Sequence, residues 1–343
     1  MILDGLATES IAAGAHCIRA GGLLGLPTET VYGLAADAEN DLAIASIFTA
    51  KGRPADHPLI VHVASVASVA HFAAEVPDFA HQLIDAFWPG PLTLILPRRD
   101  GVAAAAAGGQ NSIGLRCPSH PVAQALLQAC LTSDDDTQKP VWGIAAPSAN
   151  QFGRVSPTTA AHVQGEFGAD LLILDGGPCD VGIESTIIDC TRGVPVLLRP
   201  GAITPEQVQA VCGLKVLLKD ELLTQSVPAP RASGTLDSHY APNAKVRLMD
   251  AKALQTALDL LGNDLDASAG PTIATYSRAI LKTRSAQVLR RRMPDEAADT
   301  AQQLFAVLRE FDAQGVKLIW IENPPPSPEW DGVRDRLLRA SAS

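Results

Sequence analysis

The chain of 343 residues has few aromatic side chains, few charges and no long hydrophobic run, and each shortage excludes a class of protein. Aromatic residues make up 4% and charged residues 19% of the sequence, whereas 47% of it is hydrophobic. The hydrophobic residues are too dispersed for a membrane-spanning helix, which needs about 20 of them in succession. Residues 1–25 lack the basic leader of a secretory signal. We therefore expect a soluble, cytoplasmic protein with no membrane partner.

Basic residues are also scarce, because 27 Lys and Arg face 37 Asp and Glu, which gives a formal net charge of -10. Non-specific binding of nucleic acid depends on many Lys and Arg contacts to phosphate. The charge therefore predicts weak or indirect binding of tRNA and leaves room only for a local basic pocket. The six cysteines form no CxxC pair and have no histidine at zinc spacing. We expect them to be small buried side chains in a reducing compartment, and we expect no metal site in the chain.

The signatures of P-loops, dinucleotide-binding folds, zinc proteases and serine hydrolases are absent. What is present is a series of short apolar runs that alternate with amphipathic stretches, which is typical of an α/β protein. Many runs are apolar on both faces, which predicts a sheet covered on each side. Helices are predicted from Asn40 or Asp41 and near 77–87, 121–130 and 158–166. The predicted strands are 23–26, 59–63, 92–96, 113–115, 141–146, 171–174, 186–188 and 194–198.

The length predicts about two domains, and the composition shows where the first one ends. Residues 225–242 are rich in Pro, Ser, Ala and Gly, which predicts a linker. A polar stretch at 133–139 is interpreted as a surface insertion. After the linker, strands are predicted at 245–249, 272–276 and 317–321, a helix at 294–314 that stops at Gly315, and a last helix from Trp330. The predicted order is β-α-β-β-α-β-α in about 100 residues, which is typical of a small Rossmann-like or flavodoxin-like unit.

Clusters of Pro, Gly, hydroxyl and basic residues follow the predicted strands, at the ends where α/β proteins bind ligands. Lys51 and Arg53 repel each other unless an anion neutralises them, although capping of a helix C-terminus is an alternative for Lys51. Arg116 ends an apolar strand, so its charge needs an Asp, a Glu or a ligand carboxylate. His62 is either a core residue or part of a site. Ser156 is placed to cap a helix or to hold a phosphate.

Seven motifs then occur in an order and spacing that resemble one family: PTETVYGL, KGRP followed by PL and a histidine, WPGPLT, LRCP, APSAN, GIESTI and LRPG. Together they resemble the YrdC-like threonylcarbamoyl-AMP synthases. The linker and C-terminal unit resemble the longer, two-domain form. The resemblance is dense over 26–201 and thin after 242. It implies a YrdC-like catalytic domain at 1–213 with a twisted mixed sheet and flanking helices, a linker at 214–243, and a smaller Rossmann-like domain at 244–343.

Members of this family convert L-threonine, bicarbonate or CO2, and ATP into threonylcarbamoyl-AMP and pyrophosphate, and a partner complex then transfers the threonylcarbamoyl group to tRNA. The resemblance implies Mg2+ bound with the ATP, near Glu29, and charge neutralisation on the triphosphate by Lys51 and Arg53 as catalytic residues. The residues that it implies for threonine are Thr30, His62, Arg116, Ala146 and Ser185. Those that it implies for ATP are Lys51, Arg53, His57, Ser112, Ser148, Asn150, Ser156, Arg199 and Tyr240, the last reached from the linker.

The chain departs from the family pattern in three places. His57 stands where many members have Asn, Phe152 precedes Gly153, and residues 232–234 read Ala-Ser-Gly where Ser-Pro-Gly is common. The first departure leaves the role of His57 open, and the third is expected to loosen the grip of the linker on the site.

Two other functions stay open from the sequence. One is an RNA-binding protein of the same fold, which the charge of -10 argues against. The other is a related enzyme that makes a carbamoyl-adenylate or hydrolyses a nucleotide. The retained Thr30, Arg116 and Ser185 argue against it.

Overall fold

A computed structural model describes residues 1–132, 139–218, 221, 230–234, 239–261 and 272–342. The predicted insertion at 133–138 and much of the predicted linker lie outside these ranges. The chain divides into two compact units. We call them the N-terminal unit, residues 1–152 with 156–235, and the C-terminal unit, residues 236–343 with 153–155. The domain boundaries that the resemblance implies stay predictions.

The N-terminal unit is built around one mixed sheet whose strand order is β1-β8-β2-β3-β7-β4-β6-β5-β9-β10-β11. Pairs such as β4 with β6 are parallel, whereas β2 with β3 and β5 with β6 are antiparallel. The predicted mixed α/β architecture is thereby confirmed. The strands are β1 (Ile2–Asp4), β2 (Leu24–Leu26), β3 (Gly33–Asp37), β4 (Ile60–His62), β5 (Leu92–Pro97), β6 (Ser112–Arg116), β7 (Ile144–Ala145), β8 (Leu172–Asp175), β9 (Thr186–Asp189), β10 (Val196–Arg199) and β11 (Leu217–Leu218).

Seven α-helices flank this sheet among the described residues. They are α1 (Thr8–Arg19), α2 (Asp41–Lys51), α3 (Val69–Phe72), α4 (Asp78–Phe87), α5 (Pro121–Leu131), α6 (Ala160–Phe167) and α7 (Pro205–Cys212). The predicted start of α2 is confirmed, because the Asn40 side chain accepts hydrogen bonds from the backbone N–H groups of Leu42 and Ala43. The helix ends at Gly52, whose φ of 61° is in the left-handed region.

The central strands are buried on both faces, as their apolar sequence predicted. In β3, Leu34 and Ala36 pack into one hydrophobic cluster, whereas Ala35 between them packs into another on the opposite face. Successive side chains of a strand point to opposite faces, so two clusters imply two covered faces. Four of the six cysteines are also buried, at positions 117, 130, 179 and 190, which agrees with the predicted role as small core residues.

The C-terminal unit holds a parallel sheet of order β12-β15-β13-β14. Its elements follow the chain as β12 (Lys245–Met249), α8 (Ala251–Leu260), β13 (Ile273–Ser277), β14 (Val288–Arg292), α9 (Ala297–Ala313), β15 (Leu318–Glu322) and α10 (Asp331–Ser341). The predicted order of strands and helices in this unit is confirmed. Helix α9 stops before Gly315, whose φ is 71°, and it begins three residues later than the sequence predicted.

One local prediction is wrong, and one of the two alternatives for Ser156 is excluded. The strand expected over 141–146 is only two residues long, because the chain pairs with β3 and β4 only at Ile144 and Ala145. Ser156 does not cap a helix. Helix α6 begins at Ala160, and its cap is Thr159, whose side chain accepts a hydrogen bond from the N–H of His162.

Candidate functional site

The turn between β2 and β3 places a row of buried polar side chains at the end of the sheet. Thr28 accepts a hydrogen bond from the backbone N–H of Val31 and donates to its carbonyl, which fixes the turn. Thr30 lies 2.9 Å from Thr28 (Oγ1 to Oγ1) and accepts a 2.8 Å hydrogen bond from Nη1 of Arg116. Arg116 ends β6, which is separated from β3 by β7 and β4 in the sheet, and its long side chain reaches Thr30 in the turn after β2.

Arg116 forms an ion pair with Glu29, with 2.7 Å between Nη2 and Oε1. The two side chains are only 4% and 6% exposed. Burial opposes ionisation of Glu29, but the Arg116 guanidinium outweighs it and holds the pKa of that carboxyl below its usual value. The cation at this strand end therefore has the acidic partner that its burial required. From the sequence, Glu29 is expected only as a contact for magnesium, and its pairing with Arg116 is not predicted.

His62 lies beside this pair, because the register of β4 and β6 sets His62 opposite Arg116. Its side chain is buried, and Nδ1 has no hydrogen-bond partner among the described residues. Burial, reinforced by the charge of Arg116, lowers the pKa of His62 to about 3. The imidazole is therefore neutral near pH 7 and keeps an unused polar atom. His62 is therefore buried like a core residue and also lies next to the Arg116–Glu29 pair.

Lys51 closes α2 with its side chain buried, and its ammonium donates to the backbone carbonyls of Ser148 and Asn150. These carbonyls belong to the loop after β7, so Lys51 does not cap its own helix. Burial and the neighbouring charge of Arg53 push the pKa of Lys51 well below its usual value, against the opposing carboxylates of Glu166 and Glu184. An anion placed here would raise the pKa of Lys51 again and favour its charged form.

Arg53 follows Lys51 past the left-handed Gly52 and is also buried. Its Nη2 donates to the carbonyl of Pro58 at 2.9 Å and to Oγ of Ser233 at 3.3 Å, and its guanidinium lies 5.9 Å from the ring centre of Phe152. His57 packs edge-on against the same ring, with 5.6 Å between ring centres. Burial and the charge of Arg53 lower the pKa of His57. Phe152, a departure from the family pattern, thus supports both side chains.

A third group of hydroxyls and cations lies where β9 begins and β10 ends. Oγ of Ser185 is 2.7 Å from Oγ1 of Thr93 and accepts a 3.2 Å hydrogen bond from Arg199. Arg199 also donates to the backbone carbonyl of Ser185. The neighbouring Glu184 accepts a hydrogen bond from Oγ of Ser156. Glu184 is therefore the partner of Ser156, a role that the sequence did not indicate.

Residues 230–234, which we call the linker segment, join these groups. Ser233 accepts from Arg53 through its hydroxyl and from Arg199, at 2.9 Å, through its backbone carbonyl. Gln110 and the backbone of Arg231 hydrogen-bond to each other at 2.9 and 3.2 Å. Ser112 lines a crevice with Arg231 and Ser233, and the cavity that remains there is about 10 Å³. The linker segment thus fills the crevice beside Ser112.

The loop after β7 contributes backbone rather than side-chain geometry. Ala146 is buried, and its N–H donates to the carbonyl of Ile60 at 3.1 Å. A Cβ on Gly33 would lie 2.8 Å from Cβ of Ala146, so only glycine permits this approach. Ser148 and Asn150 supply carbonyls to Lys51, as described above. The contacts thus join Lys51 to Ser148 and Asn150, Arg53 to Arg199 through Ser233, and Arg116 to Thr30 with His62 opposite it. The roles that the resemblance implies for these residues stay predictions.

Tyr240 belongs to the C-terminal unit and is buried there. Its ring packs on Phe305, with 5.4 Å between ring centres, and lies 5.4 Å from the guanidinium of Arg336. Its φ of 60° is in the left-handed region, which bulky residues seldom adopt. The role that the resemblance implies for Tyr240 at the nucleotide stays a prediction.

The described part of the chain contains no cluster of three or more His, Cys, Asp or Glu side chains suited to a metal ion. Within the same ranges, no helix is long and apolar enough to cross a bilayer.

Comparison with known proteins identifies the family. Residues 16–201 match the Sua5/YciO/YrdC family, described as telomere recombination, and residues 203–342 match the C-terminal domain of threonylcarbamoyl-AMP synthase. The threonylcarbamoyl-AMP synthase of Pyrococcus abyssi is 37% identical over 335 residues, which are 96% of this chain and 93% of that protein. The chain belongs to the threonylcarbamoyl-AMP synthase family. The Bacillus subtilis synthase is 35% identical over 345 residues, 99% of this chain and 96% of the relative.

Solved structures of the family agree with the fold. Sua5 of P. abyssi in complex with L-threonine has a TM-score of 0.85 at 35% identity, and the match covers 100% of this chain and 98% of that one. A P. abyssi variant with a histidine and the following tyrosine replaced by alanine has a TM-score of 0.86 at 33% identity, with 100% and 96% covered. The fold class and the two-domain family that the sequence predicted are confirmed.

Proposed function

We propose that the chain is an L-threonylcarbamoyladenylate synthase, which forms threonylcarbamoyl-AMP and pyrophosphate from L-threonine, bicarbonate or CO2, and ATP. The observation that carries this proposal is the relationship to threonylcarbamoyl-AMP synthases over nearly the whole chain. The geometry of the N-terminal unit then assigns parts of the reaction to particular residues.

The amino-acid end of the site is the group of Arg116, Glu29 and Thr30. Threonine is a zwitterion near pH 7, so a buried cation beside a buried carboxylate complements it. We assign its carboxylate to Arg116, which suits planar bidentate recognition, and its ammonium to Glu29. His62 has an unused Nδ1 beside this pair and is assigned to the threonine hydroxyl. Ser185 lines the side toward the nucleotide.

The triphosphate end is the group of Lys51, Arg53 and Arg199. The threonine ammonium first loses a proton, the resulting amine adds to CO2, and loss of a second proton leaves an N-carboxylate. Both protons pass to solvent, and one carboxylate oxygen then attacks the α-phosphorus of ATP. The bond to the β-phosphate bridging oxygen breaks, and pyrophosphate leaves with that oxygen. No enzyme nucleophile takes part, so the site must supply position and positive charge. Three buried basic side chains are already held in position by carbonyls and hydroxyls, which lowers the cost of reorganisation when the triphosphate binds.

The linker segment sets the access of ATP in this proposal. Ser233 links Arg53 to Arg199, and the segment fills the crevice at Ser112. ATP therefore exchanges contacts with the linker segment when it binds. His57 on the face of Phe152 borders the same route, and the carbonyls and side chains of Ser148, Asn150 and Ser156 line the phosphate side.

Magnesium enters this proposal with the ATP. Mg2+ prefers oxygen ligands and often keeps substrate phosphates and waters in its shell. Glu29 pairs with Arg116 and Glu184 accepts a hydrogen bond from Ser156, so a metal ion would compete with these partners for the two carboxylates. The phosphates of ATP and water molecules are therefore its main ligands in this proposal.

The product is a mixed anhydride, which is a reactive donor of the threonylcarbamoyl group. A downstream complex that transfers this group to tRNA is therefore the expected partner, and this chain itself is expected to bind tRNA weakly or indirectly.

Release of pyrophosphate from ATP, measured with threonine and bicarbonate supplied or omitted in turn, tests the function. We expect release that requires both. Release that persists without threonine would favour a nucleotide-hydrolysing enzyme. A salt-dependent gel shift with tRNA in the absence of any turnover would favour the RNA-binding alternative.

A further inference from the structure

The C-terminal unit contains a cleft that the proposed reaction does not use. Its volume is about 470 Å³, and it lies along the last residues of β13 and β14. The register pairs Thr275 with Arg290 and Ser277 with Arg292, so these four side chains lie on one face of the sheet. Ile280 and Leu281 form the opposite wall.

The cleft is open because of how β13 connects to β14. The two strands are parallel, and such pairs are usually joined by a helix that covers the sheet. Here residues 278–287 contain no helix, and β14 is the edge strand. Helix α8 covers the beginning of the two strands, where Leu254 and Leu258 pack with Ile273 and Val288. Among the described residues, no helix covers the carboxyl ends of β13 and β14 on this face, which is the end where α/β proteins bind ligands.

The wall of the cleft is held by specific contacts. Glu322 accepts hydrogen bonds from Oγ of Ser277, at 2.6 Å, and from the N–H of Ala279, at 2.9 Å, and pairs with Arg278 at 2.7 Å. The backbone of Lys282 exchanges two hydrogen bonds with the side chain of Gln255 on α8, at 2.9 and 2.8 Å. The connection is therefore anchored on both sides of Ile280 and Leu281.

The cleft is positively charged although the chain as a whole is acidic. Residues 278–292 contain six basic side chains and no acidic one. Arg290 has no ion pair among the described residues, and its hydrogen bond to the carbonyl of Leu281, at 3.2 Å, uses one of its five donors. Arg292 pairs with Asp295, but that carboxylate is 71% exposed, so the pair is weak and an anion can replace it.

Thr275 gives a second and independent indication of a ligand. It lines the cleft, is 1% exposed, and its Oγ1 has no hydrogen-bond partner among the described residues. A buried hydroxyl without a partner costs free energy, and such groups are rare in folded proteins. The Thr275 side chain lies on the same face of the sheet as Arg290, its partner in the register.

We propose that this cleft is a second ligand site that binds a nucleotide. The phosphate contacts Arg290 and Arg292, Thr275 supplies a hydrogen bond at the floor, and the base lies against the apolar wall of Ile280 and Leu281. Ile280 is 82% exposed, so its side chain is accessible to a base that stacks against it. The volume is within the range of small-molecule sites.

Photolabelling of the full chain with 8-azidoadenosine monophosphate, followed by peptide mapping, tests the proposal. We expect label in residues 273–292 that is roughly tenfold lower in Arg290→Ala, the change expected from losing one charge-assisted hydrogen bond. Thr275→Val, which keeps the shape of the side chain, should also lower it. Arg247→Ala is the matched control, because it removes an exposed arginine from β12 at the other edge of the same sheet. Pyrophosphate release at saturating substrates should be unchanged in all three variants.

Label in the N-terminal unit reports separately on the proposed synthase site. The experiment can therefore refute either proposal while the other one stands. Competition by AMP, but only weakly by equal concentrations of inorganic phosphate or adenosine, is expected. The proposal is overturned by an absence of label in 273–292, by equal labelling of Arg290→Ala and the control, by equal competition from inorganic phosphate, or by displacement with RNA alone.

Discussion

Replacement of Arg116 by methionine separates the structural and the substrate-binding roles of this side chain. The variant leaves Glu29 buried without its cation. Breaking a buried ion pair by removing one partner usually costs about 3–5 kcal/mol. Both side chains are less than a tenth exposed at a separation of 2.7 Å, so we expect a loss in this range at pH 7. The loss should shrink at lower pH, because protonation of Glu29 removes the buried charge.

The double variant Arg116→Met/Glu29→Gln removes both charges and should recover most of this stability. We expect a coupling free energy of roughly 2–3 kcal/mol between the two positions. Pyrophosphate release should stay low in the double variant, because the threonine carboxylate has lost its cation. Urea unfolding followed by tryptophan fluorescence gives the first quantity, and initial rates over a range of threonine concentrations give the second.

Two results would refute this reasoning. A cost below about 1 kcal/mol for Arg116→Met would mean that Glu29 is solvated or protonated without its partner. Threonine-dependent turnover near the wild-type level in the double variant would remove Arg116 from the threonine site. Glu29→Gln alone is the matched control, since it keeps the arginine and removes only the carboxylate charge.

Three further predictions concern other parts of the N-terminal unit. Lys51→Met or Arg53→Ala should lower pyrophosphate release at least roughly tenfold by removing positive charge from the triphosphate site, while circular dichroism stays unchanged; near-wild-type release in either would contradict the assignment. His62 has a pKa of about 3 in the folded chain against an ordinary 6.5, so the unfolded chain binds the extra proton first. The contribution of neutral, buried His62 to the free energy of unfolding is therefore complete above pH 6.5. It is lost as the pH drops toward the folded-state pKa, because protons bind preferentially to the unfolded chain. Between pH 7 and 5 the wild type should lose about 2 kcal/mol more of its free energy of unfolding than His62→Gln, and equal losses would show a solvated imidazole. Gly33→Ala should cost about 1–3 kcal/mol in urea unfolding, since its Cβ would lie 2.8 Å from that of Ala146; an unchanged midpoint would mean that the loop moves freely.

The sequence by itself determined the fold class, the family and most of the elements. Short runs that are apolar on both faces predicted a covered sheet, and Leu34, Ala35 and Ala36 now pack into clusters on its two sides. These features depend on local periodicity, which a single sequence displays. Asn40 likewise marked the start of α2, because capping depends on side-chain and backbone chemistry within a few residues.

Only the tertiary structure decided which charges and hydroxyls meet. Glu29 with Arg116 and Ser156 with Glu184 are pairs whose members are far apart in the chain, and no local pattern marks them. The same reason explains why Ser156 does not cap a helix, because its hydroxyl donates to the distant carboxylate of Glu184. The cleft beside Arg290 was missed since its openness follows from a helix-free connection between parallel strands. Sequence records the residues available for such contacts, whereas folding brings their separated strand ends to one place.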